Sequence, residues 1–192
     1  MENKKLNLRF SIIAIIILTA AMSRLIPHLP NFAPIGGMAL FGAVYCSNRL
    51  WAFIIPVVSM WISDLVLNNV MYAQYFDNFV WIYSGSLFVY GAFAFITLWG
   101  IFILQKTNIV NLISAVLGAS VIFFIVSNFG VWLTSGMYPN TFDGLLVCYI
   151  AGIPFFRNTL LGDIFYTGIL FATFEMLAYK FPALRVRQGI DK

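Results

Sequence analysis

Apolar residues run through this chain in long blocks separated by short polar breaks, a pattern that predicts helices rather than strands. A helix crosses the hydrocarbon core of a bilayer with about 20 predominantly apolar residues. Blocks at about 10–26, 80–104, 109–133 and 157–179 come near or exceed that length. The stretch from Ala33 to Asn68 is too long for one crossing, and Cys46-Ser47-Asn48-Arg49 is its natural break. That gives a short helix at about 35–46 and a longer one at about 50–68. The pattern therefore predicts an all-α integral membrane bundle of six transmembrane helices, a single domain over residues 1–192. A short helix reached through Pro30 to Pro34 implies irregular backbone at membrane depth, tolerated only where protein or a water-filled cavity covers it. Phe142 to Phe155 is expected as a separate interfacial segment ahead of helix 6.

Composition excludes a soluble globule, because 61% hydrophobic with 9% charged residues leaves too little polar surface to face water. Charge then orients the bundle. Nine of the 11 Lys and Arg residues sit in two tails and two short loops: Lys4, Lys5, Arg9, Arg49, Lys106, Lys180, Arg185, Arg187 and Lys192. By the positive-inside rule both termini are cytoplasmic. The net charge of +4 then reflects topology and anionic inner-leaflet lipid, and nucleic acid is not an expected partner. Ala20-Ala21 imitates a signal-peptide cleavage site, but the run continues through Met22 and reads as the first helix. Cys46 and Cys148 carry no CxxC pattern and read as small buried residues.

Two arginines fall outside the basic end, and they define the candidate chemistry. In this topology Arg24 ends helix 1, Asp64 lies about one turn below the outer end of helix 3, Asn128 is in the outer half of helix 5 and Asp163 is about two turns into helix 6. An ionisable group in a bilayer core costs several kcal/mol unless paired or hydrated, so each should face the interior. Arg24 and Arg157 are the expected counter-charges. A closed ion-pair network that only orients helices is one reading. The other is an outward-opening polar cup, because the irregular segments Pro27 to Pro34, Asn69 to Asn78 and Ser135 to Thr141 fall at the same end. The candidate ligand-binding residues are Arg24, His28, Asn31, Trp61, Asp64, Asn128, Arg157, Asn158 and Asp163. Trp61 enters because helical spacing puts it on the face of Asp64, whereas Trp81, Tyr83, Trp132 and Tyr138 fit an interfacial aromatic belt. His28 is the sole histidine, so neither a metal nor another cofactor is expected. Glu175, about one turn from the inner end of helix 6, is expected to snorkel toward Lys180 or Arg185.

The segment SRLIPHLPNFAPIGGMALFGAVY, residues 23–45, resembles the opening signature of a bacterial family of unknown function described as transport proteins, and FFRNTLLGDIFYTG, residues 155–168, resembles its second. That family is distantly similar to the S-components of energy-coupling-factor vitamin transporters. The resemblance implies a six-helix protein of the bacterial cytoplasmic membrane, with a solute of the vitamin or cofactor-precursor class held near the outer face under loops 1, 3 and 5. It also implies a coupling protein and ATPases as partners. S-components dock through an Ala-x-x-x-Ala pattern in helix 1, which Ser11, Ala14, Ala20 and Ala21 do not supply. The expected function is binding of a small polar solute and a part in its import, not catalysis. A membrane enzyme acting on a lipid is the alternative from another class, though the chain has no HExxH, DDxxD-like or GxSxG motif. A six-span scaffold is the third.

Overall fold

In the computed structural model residues 2–185 are described, with side chains from Leu8 onward. The basic residues Lys4, Lys5, Arg187 and Lys192 of the tails lie outside the described side chains. Six α-helices follow one another: α1 Glu2–Met22, α2 Ile35–Tyr45, α3 Arg49–Val66, α4 Ser86–Ile103, α5 Ile109–Thr134 and α6 Phe142–Lys180. No strand occurs among the described residues. Five helices are long and apolar enough to cross a membrane, and α2, with 11 residues, is the short one. Large apolar side chains such as Leu87, Phe102 and Ile109 face outward, as they do where lipid replaces water as solvent.

Polar residues in the breaks set the helix starts. Asn48 accepts from Leu50 N at 2.8 Å, Asn108 from Asn111 N at 2.8 Å and Thr141 from Gly144 N at 3.2 Å, so α3, α5 and α6 each begin on a side-chain cap. α2 has Pro34 at that position and no side-chain cap of its own. It is the centre of the bundle, packed against α3, α4, α5 and α6, with every residue but Ala43 buried. Helix association in lipid rests on close packing more than on burial, and glycine supplies the closeness. A Cβ on Gly42 would stand 2.9 Å from the Ala52 carbonyl oxygen of α3.

Three expected boundaries are corrected. α4 begins at Ser86 and not near residue 80, because side chains of α3 and of the π-helical turn Leu67–Met71 that follows it hold 80–85 out of the helix. Asn69 accepts from Val80 N at 2.6 Å and donates to Val80 O at 2.9 Å, Trp61 Nε1 donates to Trp81 O at 3.0 Å, and Gly85 turns the chain at φ 85°. Phe142 to Phe155 is not a separate segment but the first part of α6, a helix of 39 residues that runs through Pro154. A proline removes one helical hydrogen bond and here does not end the helix. α1 stops at Met22 and passes into a 3₁₀ turn, Ser23–Leu25, where Ser23 Oγ donates to Ala20 O at 2.6 Å.

Candidate functional site

Beyond the 3₁₀ turn the chain crosses one end of the bundle, and the polar residues there divide between buried pairs and open space. Arg24 projects from the turn onto α3. Its Nη1 donates to Asp64 Oδ1 at 2.7 Å and Ser63 Oγ at 2.6 Å, and lies 3.0 Å from Met60 Sδ. The other carboxylate oxygen of Asp64 accepts from Tyr90 OH of α4 at 2.8 Å. Asp64 is thus paired with Arg24 as expected, and Tyr90 on Asp64 and Ser63 on Arg24 are further partners that their place in apolar runs did not announce. Among the described residues Nε and Nη2 of Arg24 have no hydrogen-bond partner, and neither is sealed from the surroundings.

Those free donors belong to a residue that lines a chamber of ≈ 250 Å³, whose walls include His28, Asn31, Tyr83, Thr159 and Asp163. A second chamber of ≈ 630 Å³ shares Asn31, Tyr83, Val89 and Phe123 with the first and continues between α5 and α6 past Ser127, Asn128, Ala151 and Gly152. Together they form one cleft. Tyr83, expected in an aromatic belt, stands at the junction; burial, helped by the nearby Asp64 charge, pushes its phenol up to about 12. It stays protonated at neutral pH, and its hydroxyl is a hydrogen-bond donor with no partner among the described residues.

Asp163 forms part of the floor and is 1% exposed. Neither arginine reaches it. Its Oδ2 accepts from Ser120 Oγ at 2.6 Å and its Oδ1 from Gly36 N at 3.0 Å. Asp163 is therefore the missing cap of α2, supplied from α6 to a helix start that carries partial positive charge. Gly36 is required for this approach: a Cβ there would lie 2.6 Å from Asp163 Cγ.

The remaining candidates separate clearly. His28 lines the smaller chamber, its Nδ1 2.9 Å from Leu29 O, and Asn31, held at φ 63°, lines both. Asn128 lines the larger chamber and donates to Phe124 O at 2.8 Å. Asn158 lines neither; its Nδ2 donates to Pro30 O at 3.0 Å and ties the first loop to α6. Trp61 also lies outside both chambers, its indole N–H spent on Trp81 O. Arg157 is exposed, lines neither chamber and has no ion pair among the described residues. Six residues from Asp163 on one unbroken helix, it stands about 120° around the axis from the cleft.

At the opposite end the polar side chains close on one another, beside a shallow open hollow lined by Glu175, Met176, Tyr179 and Lys180. Arg9 Nη2 donates to Tyr45 O at 3.0 Å, its guanidinium lies 5.7 Å from the Phe174 ring centre, and Tyr45 OH donates to Glu175 Oε1 at 2.6 Å. Glu175 accordingly does not reach Lys180 or Arg185; Arg185 instead donates to Ala178 O at 2.7 Å and Tyr179 O at 3.1 Å and covers the end of α6. Both cysteines are free, and no group of three metal-ligating side chains occurs among the described residues.

The model of the Family of unknown function (DUF6580) matches residues 4–184, and the chain belongs to that family. Comparison with the curated proteins and with the solved structures gave no match. By the length and composition of its helices it is a multi-pass membrane protein.

Proposed function

We propose that this chain binds a small polar solute in the cleft and takes part in its import across a bacterial cytoplasmic membrane, with both termini inside and the cleft facing out. The observation that carries the reading is the pair of adjoining chambers lined by Arg24, Asn31, Tyr83 and Asn128 at the end away from Arg9, Lys106 and Lys180. Pockets for small molecules are concave, mostly apolar and furnished with a few convergent polar groups, and this cleft has that make-up. Arg9, Arg49, Lys106 and Lys180 at the opposite ends of their helices support the orientation. Its six helices, with the first, third and fifth loops above the cleft, support an S-component-like role. In that role a coupling protein and ATPases would supply the energy.

The test is retention of a solute from a water-soluble bacterial metabolite extract, read by mass spectrometry after dialysis against the purified protein. Ala151 lines the larger chamber and is exposed, so Ala151→Trp fills space without entering the packed core. At least one compound is expected to be retained by the native chain and lost with Ala151→Trp at an unchanged melting temperature. Equal retention by both, or by neither, sinks the proposal.

A further inference from the structure

We propose that the solute carries a single carboxylate, held on the open edge of Arg24, and an uncharged body that extends past Tyr83 into the larger chamber. This rests on the cleft being a solute site. Arg24 spends Nη1 on Asp64 and Ser63, its Nε and Nη2 have no partner among the described residues, and the residue lines the smaller chamber. That edge is a flat two-donor fork, the geometry that meets the two oxygens of a carboxylate. Among the described residues no lysine and no second arginine lines either chamber.

Charge decides among the head groups that fit such a fork. Arg24 is already balanced by Asp64, so an anion is held there by directed hydrogen bonds and not by net charge, which suits a monoanion; a phosphate dianion calls for further cations beside the fork. An amine has less to meet. The one carboxylate in the chamber walls, Asp163, is 1% exposed, and both its oxygens are taken by Ser120 and Gly36. Size and lining assign the rest of the molecule. The chamber beside Arg24 has ≈ 250 Å³, below the usual range for a small-molecule pocket of about 300–1,000 Å³, so a larger solute must continue next door. That chamber has ≈ 630 Å³ and no charged residue in its walls, only amides, hydroxyls and apolar groups such as Asn128, Ser127, Thr134 and Phe155. Tyr83 lines both chambers and so stands where head and body join.

Four probes with one ring and different heads test this on the purified full chain: phenylacetate, phenylacetamide, phenethylamine and phenyl phosphate, each titrated against the melting temperature. Phenylacetate is expected to raise it and the other three to leave it unchanged. Because Arg24→Gln alone strands Asp64, the variant to use is Arg24→Gln with Asp64→Asn, a neutral pair of similar shape that keeps the fold. It should weaken phenylacetate roughly tenfold or more, the usual loss of a charge-assisted hydrogen bond. Ala151→Trp should weaken it by a similar factor of about ten through the ring. Stabilisation by phenethylamine or phenyl phosphate in place of phenylacetate, or a phenylacetate response that survives in the Arg24→Gln, Asp64→Asn variant, overturns the assignment. So does silence from all four probes, while the metabolite-extract experiment judges the cleft independently.

Discussion

At the cleft end Arg24, Tyr83 and Asn31 stand around open space with donors unspent, while at the other end Arg9, Tyr45 and Glu175 are joined to one another and packed on Phe174. Both ends contain an arginine, a tyrosine and a carboxylate. The residue types are the same, and what differs is whether they are joined to one another. A polar cluster inside a membrane protein is thus not yet a site, even beside a hollow such as the one Glu175 lines; it becomes one where donors in the walls of an open space are left without partners. The carboxylates at this end repeat the lesson. Asp64 neutralises an arginine whose far edge remains open, and Asp163 is consumed in capping α2.

The contrast is broken most severely at Gly36. Gly36→Ala forces the buried Asp163 away from the start of α2, adding crowding of about 2 kcal/mol to a lost charge-assisted hydrogen bond of about 2 kcal/mol. Melting of the purified protein should therefore show a loss of about 4 kcal/mol, and a loss below about 1 kcal/mol would mean that the cap does not hold α2. Asp64→Asn comes next. It leaves Arg24 without its counter-ion for about 3 kcal/mol, the low end for a broken buried pair because Arg24 keeps access to the chamber. Adding Arg24→Gln should restore most of that stability, and failure of the rescue would show that the pair is not the reason for the loss. The smallest effect belongs to the closed end. Tyr45→Phe removes one hydrogen bond to the exposed Glu175, costs about 1 kcal/mol and leaves solute retention unaltered. A change in retention would mean that the two ends are coupled.

What the sequence foretells depends on how local the cause is. The bounds of α5 are legible because Asn108 caps it from the adjacent position, and the break before α3 because Asn48 does the same. The start of α4 is not, since the clamp that delays it comes from Asn69 and Trp61 on another helix. In the cleft, Arg24 with Asp64 could be inferred from shared depth and opposite charge. Asp163 defeats that logic because its partner is a backbone N–H at Gly36, 127 residues away, and charge counting is blind to a helix terminus. Arg157 fails for a different reason. Its expected place assumed a helix starting beside it, whereas α6 passes through and carries it to an outer face.

That uninterrupted α6 has a mechanical consequence. Its 39 residues make a rod of about 58 Å. It is pinned where Gly162 meets the first loop so tightly that a Cβ would sit 3.0 Å from Ala33 N. About 16 Å of helix separates this fulcrum from Ala151 in the cleft wall, and about 20 Å separates it from Glu175 at the closed end. A tilt of the whole rod about this contact carries Ala151 and Glu175 in opposite directions by nearly equal amounts, and on the Glu175 side it must break the packing of Phe171 and Phe174 in the core. The rod's one weak joint is Pro154, which deprives the Ile150 carbonyl of its helical donor and lies on the cleft side of the fulcrum.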